Sequence, residues 1–191
     1  GCVLANRLTE DGRHSVMVLE AGGSDRHPFV AAPAGFIKTI DHPGFNWCFK
    51  TEPNAATKDR EILFPRGRVL GGSSAINGHL YVRGQPQDYD TWAQAGNLGW
   101  SYEDVLPVFR DLENHECLSN AFHGASGELH VSRGRDAHFL ARAFVRAGQE
   151  AGIPYNDDFN GSDQQGVGFF HTTTYKGERW SSARAFLEPA R

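Results

Sequence analysis

The spacing of apolar positions changes period several times along the chain, and each change predicts an element. In the first eleven residues Val3, Leu4 and Leu8 share one helical face with Ala5 beside them, and Gly12 is placed to stop the helix. Val16-Met17-Val18-Leu19 is then a continuous apolar run ending in Glu20-Ala21-Gly22-Gly23. A short run without polar alternation predicts a strand buried on both faces, as in the interior of a parallel sheet. Helix, tight turn and buried strand, in that order, form the second half of a βαβ unit. Residues 24–64 lose this regularity. Pro28, Pro33, Pro43 and Pro53 alternate with Phe29, Phe36, Phe45, Trp47 and Phe49, which predicts an ordered loop excursion packed on the domain.

Further along, residues 88–115 read as helical. Ser101 and Asp104 form a capping-box pair, and Pro107 is expected to kink or restart the helix. Residues 128–132 alternate like a half-exposed strand. Between residues 139 and 151, Leu140, Ala143, Phe144, Ala147 and Ala151 line one helical stripe. Residues 166–176, rich in Phe, Thr and Tyr, predict another strand, and Ser181 is placed to cap a short helix burying Ala183, Phe186 and Leu187. The pattern changes character near residues 116–124, where a soft domain boundary is expected. The chain opens on Gly1 inside a helical pattern and closes soon after another, so it is expected to be an internal piece of a longer protein.

Composition narrows the classes. A hydrophobic fraction of 39%, a charged fraction of 22% and a net charge of −4 over 191 residues are ordinary for a globular protein. The charges are interspersed, which leaves no electrostatic footprint for nucleic acid. No apolar run approaches the ~20 residues that a membrane span needs. Cys2, Cys48 and Cys117 are distant and odd in number, so neither a disulfide framework nor a zinc pair is indicated. His123, His130 and His138 lack ligand spacing and read as structural or exposed. The stretch Asp157-Asp158-Phe159-Asn160-Gly161-Ser162-Asp163 has its glycine too early for an EF-hand and reads as an acidic turn. No G-x-S-x-G elbow supports a hydrolase.

Two blocks carry chemistry. Glu20 stands nineteen residues after Gly1 at the end of the expected strand, where a dinucleotide fold needs a carboxylate for the adenosine ribose. Alone, that block equally describes an ordinary turn. The second block is Pro65-Arg66-Gly67-Arg68-Val69-Leu70-Gly71-Gly72-Ser73-Ser74-Ala75-Ile76-Asn77-Gly78-His79-Leu80-Tyr81-Val82-Arg83-Gly84. Its paired glycines open backbone angles closed to other residues, and Ser73 and Ser74 offer hydroxyls to a helix start or to phosphate oxygens.

This second block resembles the first signature of the glucose–methanol–choline (GMC) oxidoreductases, through Gly67 to Ser74, Ile76-Asn77, Tyr81, Gly84 and Asp90. Val18-Leu19-Glu20-Ala21-Gly22-Gly23 resembles that family's ribose-binding strand end. Asn46-Trp47, Trp92, Gly99-Trp100-Ser101-Tyr102 and Leu106-Pro107 extend the match, and Gly177 to Ala183 resembles the stretch returning to the FAD domain. The resemblance implies an α/β fold. Residues 1–118 would form an incomplete Rossmann-like FAD-binding domain lacking its first strand. Residues 119–178 would belong to an α+β substrate-binding domain with an antiparallel sheet, and residues 179–191 would return to the FAD domain.

It also implies FAD as cofactor and a primary alcohol, choline-like or aliphatic, as substrate, oxidised by hydride transfer to flavin N5. Glu20 and Ala21 would meet the adenosine ribose. Arg68, Val69, Gly72 and Ser73 would line the diphosphate and ribityl path, and Asn77, Gly78, His79 and Leu80 would pass beside the isoalloxazine. Relatives with covalent flavin carry histidine where this chain has Ile76, so non-covalent FAD is expected. The family's catalytic histidine is expected beyond Arg191, and His79 reads as a backbone contact rather than a base. The electron acceptor, oxygen or a quinone, is left open. The expected location is cytoplasmic, or at a membrane through the electron acceptor. Two other readings compete: a non-catalytic FAD-binding or structural remnant, and a nicotinamide-dependent Rossmann enzyme, which leaves residues 65–84 unexplained.

Overall fold

Regular structure occupies short stretches of the computed structural model, which describes Gly1–Arg191, and loops carry much of the packing. The chain divides into two compact units, Gly1–His79 with Thr174–Arg191, and Leu80–Thr173.

In the first unit, helix α1 (Cys2–Thr9) buries Ala5 against Ala183 and Leu187, with Cys2 and Leu70 at the edge of the cluster. The apolar face predicted from spacing points elsewhere: Leu4 and Leu8 are more than half exposed. The alanine faces inward because Ala5 and Ala183 let two helical backbones approach closely. Ala183 opens a five-residue helical turn of π spacing (Ala183–Leu187), closed by Glu188 N–H donating to Ala183 O, and Ala183, Phe186 and Leu187 are buried as expected.

Residues 16–19 form no strand, and Met17 and Leu19 are 85% and 87% exposed. The expectation of a buried parallel strand fails within this chain because a strand's N–H and C=O groups need neighbours, and no segment here lies alongside to supply them. Pairing begins only at Gly23, which forms a parallel bridge with Val69 and accepts from Leu70 N–H at 3.0 Å.

Residues 24–64 are an ordered excursion, as their proline and aromatic pattern predicts. They hold helices α2 (Pro28–Ala31) and α3 (Phe36–Thr39) and the short strands β1 (Phe49–Lys50) and β2 (Leu63–Phe64), paired antiparallel with Phe49 opposite Phe64. Buried Asn46 pins this excursion to the glycine block. Its side-chain oxygen accepts from Arg66 N–H at 2.8 Å and Cys48 N–H at 3.0 Å, while its amide donates to Ile40 O. The unit's main core joins Val30, Val69, Ala75 and Ile76, with Phe45 packed on it. Each larger member contributes about 1.5–3 kcal/mol of burial.

The second unit contains helices α4 (Pro86–Gln94), α5 (Tyr102–Leu112) and α6 (Phe139–Glu150), and strands β3 (Glu113–His115) and β4 (Leu129–Val131). The predicted helical stretch 88–115 is therefore two helices and a strand. The two helices are separated by Gly96 and Gly99, both at positive φ, and the strand follows α5 directly. The capping box forms as expected: Asp104 N–H donates to Ser101 Oγ at 3.3 Å, and Ser101 N–H donates to Asp104 Oδ2 at 3.1 Å. Pro107 lies inside α5 without dividing it. Strands β3 and β4 pair parallel, Glu113 opposite Leu129 and His115 opposite Val131, whereas the contacts of Thr172 with Leu80 and Ser132 are isolated antiparallel bridges. On α6 only Val145 is buried; the expected stripe is outside, with Leu140 and Phe144 exposed. The remaining strands, β5 (Thr174–Tyr175) and β6 (Glu178–Arg179), form a hairpin in the first unit around Lys176 and Gly177. Both turn residues have positive φ, as a two-residue hairpin turn prefers. No helix is long and apolar enough to cross a membrane.

Candidate functional site

The two sequence blocks meet in the first unit. Glu20 is exposed and turns the chain that follows it: Oε1 accepts from Gly22 N–H at 2.7 Å. At Gly22 the backbone touches the second block so closely that a Cβ would lie 1.9 Å from Arg68 O. Only glycine permits that approach. Ala21 lies exposed between them, and Val69 is fully buried in the core beneath. The Arg68 guanidinium carbon lies 5.5 Å from the centre of the Trp47 ring, and its Nε is buried with no hydrogen-bond partner.

The block then turns through Gly71 and Gly72, at φ +88° and +57°. Nothing lies within 4 Å of where a Gly72 Cβ would be, so the outer side of this turn is open. The exposed Ser73 hydroxyl accepts from Gly67 N–H at 3.1 Å, which braces the loop. Ser74 donates to Gly71 O at 2.7 Å and meets the Ser182 hydroxyl at 2.9 Å, and Ser182 N–H donates back to Ser74 Oγ at 2.9 Å. The return segment is thereby fastened to the glycine turn.

Beyond the turn, exposed Asn77 accepts from His79 N–H at 3.0 Å and from Arg179 Nη1 at 2.9 Å. Gly78 is half-buried between them. His79 adopts φ +51°, and burial, then the positive charge of Arg179, lowers its imidazole pKa. Of the sequence-predicted site residues, Glu20, Ala21, Arg68, Val69, Gly72, Ser73, Asn77, Gly78 and His79 all lie in this unit. Leu80 is the first residue of the other unit, where it is exposed and bridges Thr172. The sequence reading missed Arg179 and Ser182 as parts of the site. A single arginine beside Trp180 and two serines carries no spacing signal, and its partners lie about a hundred positions earlier.

The second unit holds a buried polar chain that was also missed. Arg83 Nη2 donates to Glu113 Oε2 at 2.7 Å, and Glu113 Oε1 lies 2.9 Å from His123 Nδ1. His123 Nε2 lies 3.0 Å from Asp158 Oδ2, and Asn160 receives Arg83 N–H at 2.8 Å while donating to Tyr81 O at 2.9 Å. The His123 and Glu113 side chains are fully enclosed. Burial opposes charge on His123, but hydrogen bonds to Asp158 and Glu113 and the fields of both carboxylates outweigh it, and its pKa is pushed up to about 9. His115 behaves oppositely. Burial, then the neighbouring His171 at 3.0 Å, lowers it to about 4.

Glu113, His115 and His123 offer donor atoms within 4.8 Å of one another, the proximity a metal ion would need. In this arrangement both nitrogens of His123 face carboxylates, and the Arg83 guanidinium already neutralises Glu113. The cluster is built as an alternation of cations and carboxylates. Its bonded pairs Glu113–His123, Arg83–Glu113 and His123–Asp158 join positions ten, thirty and thirty-five apart, so no local motif announces it.

A family model described as GMC oxidoreductase matches residues 10–191. The chain belongs to the GMC oxidoreductase family. Among curated relatives, it is 47% identical over 190 residues to a protein named oxygen-dependent choline dehydrogenase from Sinorhizobium fredii, and 44% identical to one of the same name from Brucella anthropi. Each alignment covers the whole chain but 35% of the relative, so the chain spans about a third of their length. Among solved structures it superposes on pyridoxine 4-oxidase from Mesorbium loti with a TM-score of 0.93 at 34% identity, over 100% of this chain and 38% of that one. An FAD-dependent oxidoreductase from Chaetomium thermophilum gives 0.88 at 29% identity, over 99% and 34%. The fold is the GMC N-terminal FAD-binding domain, with mixed helices and small sheets.

Proposed function

We propose that the protein carrying this chain oxidises a primary alcohol, choline-like or aliphatic, using FAD that the first unit binds without a covalent bond. The observation that carries this reading is the meeting of the Glu20 turn with the Gly67–Gly72 loop at Gly22 and Gly23. A dinucleotide needs a carboxylate beside a glycine turn that phosphate can approach, and the Gly22–Arg68 and Gly23–Leu70 contacts join the segment carrying Glu20 to the glycine block.

The residues fit FAD on further grounds. The outer side of Gly72 is open where a side chain would obstruct a ligand, and the Arg68 Nε and Arg179 Nη2 atoms are buried without partners. Glu20 would accept hydrogen bonds from the adenosine ribose, with Ala21 beside it. Arg68, Val69, Gly72 and Ser73 would border the diphosphate and ribityl chain, and Asn77, Gly78 and His79 would flank the ring system. FAD, once bound, supplies the acceptor for the hydride that leaves the alcohol carbon. Non-covalent attachment is supported by Ile76, which is 2% exposed, packs with Val30, Val69 and Ala75, and carries no nucleophilic atom. The names of the choline dehydrogenase relatives favour a choline-like alcohol.

The test is turnover of choline and of short aliphatic alcohols by the FAD-loaded protein, with oxygen and an artificial acceptor supplied separately. Acid precipitation should leave the flavin in the supernatant. Loss of flavin into the protein pellet contradicts non-covalent binding, and absence of turnover with every alcohol contradicts the proposed substrate class.

A further inference from the structure

Arg179 is a buried cation without an anion. Its relative exposure is 1%. It forms no ion pair. Nε donates to Val30 O at 3.1 Å, and Nη1 donates to Ser74 O at 3.3 Å and Asn77 Oδ1 at 2.9 Å. All three partners are neutral, and Nη2 is buried with no partner. Burial alone lowers the group to about 10, so it stays charged at neutral pH.

A guanidinium enclosed in this way costs several kcal/mol unless a negative charge comes to meet it. The contrast within the molecule is direct, because Arg83, also buried, is neutralised by Glu113 at 2.7 Å. Arg179 is held on the β5–β6 hairpin and grips the glycine block just after its turn, at Ser74 and Asn77. The titratable group it faces is His79, whose imidazole it depresses rather than ionises. The missing negative charge must therefore come from outside the first unit's own side chains.

We infer that Arg179 is a positioning residue that fixes Asn77 and biases bound flavin towards its reduced, negatively charged state. This rests on the reading above that FAD binds in this unit with the segment around Asn77 beside its ring. The guanidinium favours whichever flavin state carries more negative charge, and it acts through a fixed field, without transferring a proton. Oxidised FAD gains little from that field, whereas flavin reduced by two electrons gains most.

The experiment compares wild type, Arg179→Gln and Arg179→Lys in the full protein, measuring the flavin midpoint potential by spectroelectrochemistry and the dissociation constant of oxidised FAD. For Arg179→Gln the equilibrium between reduced and oxidised flavin should move tenfold or more towards oxidised, a fall of about 30 mV for a two-electron couple. Affinity for oxidised FAD should change much less. Arg179→Lys retains a cation, so it should match wild type in acid and lose that match as pH rises and the ammonium deprotonates. Wild type should show no such step. If Arg179→Gln does not fold, the alkaline step in Arg179→Lys decides alone. An unchanged potential in Arg179→Gln, a loss confined to FAD affinity, or the absence of the step in Arg179→Lys overturns the inference. Wild-type protein that binds no FAD overturns the flavin reading itself, and the inference falls with it.

Discussion

Replacing His123 with glutamine should remove a specific pH dependence of stability from the protein. The imidazole is fully enclosed between Glu113 at 2.9 Å and Asp158 at 3.0 Å, and Glu113 is itself paired to Arg83 at 2.7 Å. Charges therefore alternate along the chain as plus, minus, plus, minus when His123 carries its proton. The folded pKa is raised from 6.5 to about 9. Between those values the folded state keeps a proton that the unfolded chain has released. The contribution is full below pH 6.5, declines as pH rises, and is gone above about 9. A rise of that size corresponds to about 3 kcal/mol. Glutamine retains a polar amide but cannot carry the charge, so in mildly acidic buffer the variant should be less stable by about 3–5 kcal/mol, the cost of breaking a buried ion pair. Urea unfolding of both proteins from about pH 6 to about pH 9.5, followed by tryptophan fluorescence, reads the difference directly. The gap should narrow by about 3 kcal/mol across the series. A gap that stays constant with pH would refute the reasoning, because His123 would then not be the protonated link.

His115, lowered to about 4, should remain neutral at pH 5, with its contribution complete above 6.5 and lost as pH falls from 6.5 towards 4; imidazole chemical shifts followed by NMR check this. Gly22→Ala should destabilise by about 3 kcal/mol and weaken FAD binding, because the new Cβ meets Arg68 backbone at 1.9 Å, a contact no rotamer can relieve. Gly72→Ala, at positive φ with open space around it, should cost only about 1–2 kcal/mol from backbone strain; thermal melts of the pair in the presence and absence of FAD separate the two cases. Ser101→Ala should cost about 1 kcal/mol by removing the side-chain acceptor at the start of α5, measured by denaturant unfolding.

What was legible in the sequence was local chemistry. The Gly71-Gly72 turn and the Ser101/Asp104 capping box depend on backbone angles and short-range hydrogen bonds, which residue types a few positions apart specify. The irregular excursion of residues 24–64 was legible for the same reason. Apolar patterns were less reliable guides. Residues 16–19 have the composition of a buried strand, yet pairing and burial come from neighbours, and a period cannot show whether they are present. The stripe on α6 failed likewise: Leu140 and Phe144 face outwards, and Val145 between the predicted positions faces in. The Arg83–Glu113–His123–Asp158 chain and the Arg179 clamp were illegible because their members come from distant loops and strands. No helical or strand period links Arg179 to Asn77 or His123 to Asp158. Recognition of the GMC signature supplied the fold and cofactor class, but not these contacts.

The most direct test of the account is a titration of the purified apoprotein with FAD and with FMN, in wild type and Glu20→Ala, followed by flavin fluorescence. If Glu20 meets the adenosine ribose beside the Gly22–Arg68 contact, wild type should bind one FAD and strongly prefer it to FMN, which has no adenosine. Glu20→Ala should then lose about tenfold or more in FAD affinity while leaving FMN binding unchanged, a loss within the range of a hydrogen bond to a charged group. Equal affinity for the two flavins, or no binding of either, would contradict the central claim.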